Sequence, residues 1–264
     1  MRAQGVSATI IEQVHQKRCI ETAVTMTSYT YPFASSMVQE AIATFAAYAI
    51  SIDDLTSEFA GDLQLYATNL TRGRPQEHSL LQGFTHHLSD QSQIFGPYGG
   101  DMIIKGALEF ISSAVVEAEH MDTLRLPRNA TDFLLPFRAK TGVAEPFAFF
   151  CFPRDTHPKP RDLEKYIAVV PTIMLFLDYV NDILSFYKEH MKPGDSASFV
   201  KSYARLHRIS LDHALRQIKV QAIEVVRRLR SICADDPELP TDENAWVAFT
   251  QDIAWLNGAG GQLR

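Results

Sequence analysis

The sequence predicts an all-α protein, on three observations. Apolar residues recur at three- and four-residue spacing through long segments, strand-like alternation is almost absent, and each long segment stops at Pro, Gly or a short polar run. A chain of 264 residues with 46% hydrophobic composition can bury one substantial core. No internal repeat, low-complexity tract or interdomain linker divides it, so one domain over residues 1–264 is expected.

The spacing predicts a first clear helix over Ser35–Phe59, where QEAIATFAAYAISI is apolar on more than one face and therefore central to the fold. The run TRGRPQEH is a break, and the pair His86–His87 reads as part of a polar surface loop. After FGPYGG a helix is expected over Asp101–Met121. LPRNA separates it from Thr131–Phe150, with Thr131 able to cap free backbone amides. FPRDTHPKP precedes a second multi-faced apolar helix, Arg161–His190, through IAVVPTIMLFLDYV. MKPGDS precedes Ser196–His207 and Ser210–Cys233, the latter with Ser210 as cap, and ADDPELPTD precedes Glu243–Leu256.

The net charge of -6 and a pI near 5.8 argue against a general nucleic-acid binder, which needs a basic surface. Cys19, Cys151 and Cys233 are odd in number and far apart, with no disulfide framework or zinc spacing, so a reducing compartment is expected. The N-terminus has no secretory h-region, and the longest apolar stretch, Ile167–Leu177, contains Pro171 and is too short to span a bilayer. A soluble cytoplasmic protein is the plain reading.

Both central helices turn oxygen-rich after their apolar runs. In SIDDLTSEFAGD (Ser51–Asp62), Asp53 and Asp54 are adjacent, and Asp54, Glu58 and Asp62 fall at i, i+4 and i+8. On one continuous helix these three would share about 80° of surface, and carboxylates so stacked repel unless a cation lies between them. A solvated acidic helix end is the plainer alternative. In YVNDILSFYKEH (Tyr179–His190), Asn181, Ser185 and Glu189 repeat the spacing. An amide oxygen, a hydroxyl and a carboxylate then converge on one side, a set that suits a hard cation such as Mg²⁺; a polar helix terminus in solvent is the alternative. Asp182 could pair with a neighbouring arginine and orient this stretch, or be structural; Asp178 is treated with the same reserve. Two such helix ends facing one another would frame an apolar cavity with cations at its mouth, fitting a substrate with a diphosphate head and a hydrocarbon tail.

NDILSFYKE has the form N-D-x-x-S-x-x-x-E, the second metal-binding motif of class I terpene cyclases. With ISLDHAL after it and FGPYGGDMIIKGALEF before it, the chain resembles that family from roughly Tyr31 to Trp255, and is most similar to the fungal trichodiene synthase group of sesquiterpene cyclases. The resemblance implies the class I terpenoid synthase helical bundle around a central apolar cavity. It implies ionisation of farnesyl diphosphate, cyclisation of the resulting carbocation and release of diphosphate, with three Mg²⁺ ions and a homodimeric enzyme. Carried over by motif, Asn181, Ser185 and Glu189 would chelate one Mg²⁺ and Asp53 two more, with Asp54 and Glu58 as further acidic candidates. Lys188 and Arg138, in PFRAKTG, would contact the diphosphate.

The chain departs from the family pattern twice. The family's DDxxD or DDxxE becomes Asp53-Asp54-Leu55-Thr56-Ser57, with the carboxylate one place late at Glu58. Arg264 is the candidate for a C-terminal arginine that grips diphosphate, and no tyrosine follows it. Tyr48, Phe147, Phe176 and Tyr179 are aromatic candidates for a cavity wall that tolerates moving positive charge. Ordinary packing is the competing role for each. A chain-elongating isoprenyl diphosphate synthase would need two aspartate-rich motifs, and the second motif here is of the cyclase type. A proton-initiated cyclase would need DxDD, which SIDD lacks. A degenerate cyclase fold that binds an isoprenoid without turnover is the non-enzymatic alternative.

Overall fold

The computed structural model describes residues 1–120, 126–127, 129–157, 162–191 and 198–235. Among the described residues the regular structure is helical throughout: α1 Ala8–Gln16, α2 Cys19–Thr30, α3 Ser36–Leu55, α4 Ala60–Thr71, α5 Ser79–Ser89, α6 Gln91–His120, α7 Leu134–Thr141, α8 Ala144–Phe149, α9 Asp162–Tyr166, α10 Val170–Met191, α11 Phe199–His207 and α12 Leu211–Asp235, with three short 3-10 turns. The expected all-α class is observed. The segment Glu243–Leu256 lies outside the described residues.

Several expected boundaries move, each for a local reason. The helix expected over Ser35–Phe59 ends at Leu55, because Thr56 turns its hydroxyl back onto the Ile52 carbonyl at 2.7 Å and the next three residues tighten into a 3-10 turn. The helix expected over Thr131–Phe150 is two, α7 and α8. They are separated at Gly142 and at Val143, whose φ of 49° is left-handed. Thr131 opens a 3-10 turn and makes no side-chain cap. The helix expected over Arg161–His190 divides before Pro171, which has no N–H to give and whose ring collides with the carbonyl four residues back; Pro171 sits instead in the first turn of α10. FGPYGG does not end a helix but bends one: Gly96, at φ 75° and ψ 169°, kinks α6, which resumes through Pro97 to His120. Ser210 does cap α12, its Oγ accepting from the His213 amide at 3.2 Å. The helices α1, α2, α4 and α5 were not expected. α1 is short and amphipathic, burying only Ile11 and Val14.

The core is organised around α3. Val38, Ile42, Phe45, Ala46, Tyr48 and Ile52 have essentially no exposed surface, so the helix is buried on more than one face, as its composition requires. It packs on α2 along one side and on α5 along another. Phe45 is the centre of an aromatic cluster, meeting Phe84 at 5.4 Å, Phe150 at 5.2 Å and Phe147 at 6.1 Å, all edge-on. That cluster ties α3 to α5 and to α8. On the other side of the molecule α10 packs on α8 and α12, with α7 and α11 beside it. No described helix is long and apolar enough to cross a membrane.

His87 is not a surface residue. It lies on α5, buried, with its ring against Phe45 and Tyr48 and its Nε2 3.2 Å from Gln91 Nε2. Burial pushes its pKa down to about 4. A histidine held neutral in the fold and free to charge when unfolded makes the unfolded state bind more protons between pH 6.5 and 4. Stability is therefore expected to fall as pH drops through that window, by on the order of 3 kcal/mol from this group. His87→Gln should flatten the slope, read from urea denaturation midpoints at pH 7, 5.5 and 4.5.

Candidate active site

The oxygen-rich half of α10 is helix interior, not a helix end: the helix runs unbroken from Val170 to Met191. Asn181, Ser185 and Glu189 therefore keep the i, i+4, i+8 register that aligns them along one face. Asn181 is exposed and Ser185 half-buried. Ser185 Oγ is itself buried and meets no hydrogen-bond partner among the described residues. A hydroxyl removed from water without a partner costs free energy, so its orientation asks for a ligand. The side chains of Lys188 and Glu189 lie outside the described residues, as does Arg264. Among the described residues no three His, Cys, Asp or Glu side chains cluster as a metal site. The oxygen donors of the Asn181–Ser185 face nonetheless match what a hard cation takes.

Arg138, on α7, is brought onto this face. Its Nε donates to Asp182 Oδ1 at 2.7 Å, its Nη2 donates to Asn181 Oδ1 at 3.0 Å, and its Nη1 lies 3.4 Å from Asp178 Oδ1. The arginine side chain is 14% exposed and the two carboxylates 5% and 7%. Burial opposes the guanidinium's charge, but Asp182 and Asp178 outweigh it and hold Arg138 protonated more firmly than usual. Burial raises the Asp178 carboxyl to about 6, against the pull of Arg138.

Gly142 is what lets the guanidinium lie there. A Cβ on it would come within 1.9 Å of Arg138 Nη1 and 2.7 Å of Asp178 Oδ1. The break between α7 and α8 thus has a purpose in packing: it places a residue without a side chain under the ion pair. Of these partners only Asp182 was legible beforehand. Asp178, one turn earlier on the same face, could have been found from its i, i+4 spacing; nothing in the sequence singles out Gly142.

The acidic end of α3 is built differently from expectation. The register that would stack Asp54, Glu58 and Asp62 requires one continuous helix, and α3 stops at Leu55, with α4 starting only at Ala60. Glu58 sits in the intervening 3-10 turn, fixed from below by buried Phe59, whose ring stacks on His78 at 4.4 Å. Helix α1 then reaches over. Lys17 Nζ donates to the Asp54 carbonyl at 2.6 Å, Gln13 Nε2 to Glu58 Oε2 at 3.2 Å, and Cys19 Sγ contacts Asp54 Oδ2 at 3.8 Å. Asp53 is exposed beside them. The three carboxylates do not form a ladder.

The four aromatic candidates divide. Tyr48 has no accessible surface, and its hydroxyl donates to Gln4 Oε1 at 2.7 Å, so it is an interior packing residue. Phe176 and Tyr179 are buried on α10. Phe147, on α8, is only partly buried and packs edge-on against Phe45 and Phe150. A separate cavity of ≈ 500 Å³ opens between α1, α2 and α3, lined by Ile11, Val24, Gln39 and Ala43 among others, and none of the candidate site residues borders it.

Helices arranged so, with a cation-ligating face on one and an arginine set against it, define the class I terpenoid synthase fold. The linalool/nerolidol synthase of Streptomyces clavuligerus superposes with a TM-score of 0.69 over 97% of this chain and 94% of that one, at 14% identity. The chain belongs to the trichodiene synthase (TRI5) family, whose model matches residues 3–250. It is 34% identical to (E)-beta farnesene synthase of Metarhizium brunneum over 210 residues, 80% of this chain and 63% of that protein. It is 31% identical to terpene synthase BipA of Cochliobolus sativus over 194 residues, 73% of this chain and 58% of that protein. The chain thus spans about six-tenths of the length of these relatives.

The seat of Arg138 is open to test. Gly142→Ala is expected to destabilise the fold by about 1–3 kcal/mol through overpacking. Asp182→Asn is expected to cost about 3 kcal/mol by leaving a buried guanidinium short of charge. Both are read from urea denaturation at pH 7.

Proposed function

We propose that this chain is a Mg²⁺-dependent sesquiterpene cyclase, a single domain over residues 1–264 that ionises farnesyl diphosphate and cyclises the carbocation so formed. The observation that carries this reading is the α10 face: Asn181 and the unpartnered Ser185 hydroxyl one turn apart, with Arg138 against them. The names of the relatives, terpene synthases that include a farnesene synthase, support it. In keeping with the family, the enzyme acts as a cytoplasmic homodimer.

Asn181, Ser185 and Glu189 would hold one Mg²⁺ and Asp53, with Asp54 or Glu58, the others, three in all. When bound, magnesium supplies Lewis acidity to the diphosphate oxygens. Arg138 and Lys188, with Arg264 as a further candidate, offer positive charge to the same anion. The allylic C–O bond breaks, its electron pair leaves on the diphosphate oxygen, and the allyl cation is attacked by the substrate's own double bonds. A guanidinium already desolvated and oriented by Asp178 and Asp182 needs little rearrangement to meet the charge that develops on the leaving group. Phe147, with Phe176 and Tyr179, would give the cation an apolar wall with aromatic faces. Tyr48, packed away from any accessible surface, is left out of that wall.

A second reading, isoprenoid binding without turnover, draws on the engagement of Asp54 and Glu58 by α1 side chains. Prenyl-chain elongation has no second aspartate-rich motif to support it. The deciding experiment incubates the full-length protein with geranyl, farnesyl and geranylgeranyl diphosphates, with and without Mg²⁺, and analyses the products by gas chromatography. A C15 hydrocarbon or alcohol that requires Mg²⁺ is expected; no volatile product from any substrate sinks the enzyme reading. Asn181→Ala with Ser185→Ala should abolish turnover, a loss of about a thousandfold or more, with helix content unchanged by circular dichroism.

A further inference from the structure

Asn181 has one atom able to ligate a cation, its side-chain carbonyl oxygen. In the structure that oxygen already accepts a hydrogen bond, from Arg138 Nη2 at 3.0 Å. The donor is firmly placed: Asp182 holds Nε at 2.7 Å, Asp178 lies 3.4 Å from Nη1, and Gly142 leaves room for the planar group to lie flat beneath them. A magnesium ion bonds its oxygen ligands at about 2.1 Å. A cation on Asn181 Oδ1 would thus lie roughly 5 Å or less from the guanidinium nitrogen, in a site where the flanking charges are mostly out of water. Like charges that close in such surroundings repel strongly.

We propose that Asp178, Asp182 and Gly142 hold Arg138 as a latch on Asn181, so that guanidinium and cation compete for one oxygen until an anion draws the guanidinium away. The inference rests on the reading of Asn181 and Ser185 as a cation site, and adds an order to its assembly. A diphosphate group can take two parallel hydrogen bonds from a guanidinium, a stronger contact than the neutral amide offers. Anion binding then frees Asn181 at the moment the cation is needed. Without the anion, the α10 face is a poor cation site despite its matching donors. Asp178 and Asp182 act here as positioning residues, through Arg138.

The test measures metal binding rather than turnover. Mn²⁺ is titrated by electron paramagnetic resonance into the full-length protein with no diphosphate present, for the parent protein, Arg138→Lys, Asn181→Leu and the double variant. Arg138→Lys keeps the positive charge but loses the fork that reaches Asn181. It is expected to bind Mn²⁺ about tenfold more tightly than the parent. In the Asn181→Leu background the same change should make no difference. Should Arg138→Lys fail to fold, Asp178→Asn, which loosens the same guanidinium, is expected to shift affinity in the same direction. Equal Mn²⁺ affinity in parent and variant overturns the latch and leaves the cyclase reading standing. A gain that persists without Asn181 also overturns it, because the freed carboxylates would then be the ligands. If inorganic diphosphate brings no Mn²⁺ to the parent protein, the cation site and the latch fall together.

Discussion

A guanidinium taken out of water keeps its charge only if the protein supplies compensation within a few ångströms, and Arg138 obtains it from two carboxylates on the neighbouring helix. That requirement shapes the surrounding structure. Asp178 and Asp182 must share one face of α10, which fixes the rotation of the helix about its own axis and turns Asn181 and Ser185 toward the same side. The approach of α7 to α10 is set by the reach of one arginine side chain. The chain between α7 and α8 must then turn without a side chain at Gly142 and with a left-handed residue at Val143. A buried ion pair of this kind contributes little net stability compared with apolar packing, but it tolerates few alternative geometries. It is well suited to fixing position.

The apolar frame supplies what the ion pair does not. α3, buried on several faces, and the aromatic cluster centred on Phe45 tie it to α5 and α8. α8 in turn packs on α10. Phe147 is thus connected to both halves of the molecule, through its ring to α3 and through its helix to the arginine site, and its backbone carbonyl takes a hydrogen bond from Tyr31 on the α2 side. Each side of the bundle can hold its charged groups near solvent because the contacts between the sides are apolar and interlocked.

Helical class and the oxygen face of α10 were legible in the sequence because both depend on spacing within one unbroken element. The i, i+4, i+8 set of Asn181, Ser185 and Glu189 holds because α10 runs to Met191. Boundaries were less legible where two signals competed. Pro171 sat inside an apolar run whose periodicity argued for continuity, and steric exclusion won. Gly96 and Pro97 looked like a stop and proved to be a bend. His87 looked polar and exposed because its neighbours in sequence are; its burial follows from tertiary contacts with Phe45 and Tyr48, which no local pattern announces. Gly142 and the α1 residues Gln13 and Lys17 belong to the same class: their roles exist only across the fold.

The end of α3 changes how the carboxylate after Asp53 should be understood. A motif written with fixed spacing assumes that each added residue advances the chain by a constant rise and rotation. Past Leu55 that assumption fails, since the chain tightens to three residues per turn, reopens at Phe59 and restarts as α4. Sequence separation there no longer measures direction in space. An extra residue in this turn is absorbed as slack, with Phe59 stacked on His78 as a fixed point beyond it. The neighbouring α10 face has no such tolerance: one residue gained or lost between Asn181 and Glu189 would swing every later side chain by about 100°. The two halves of the site are therefore free to drift at different rates, and the more variable of them is the one that carries more charge.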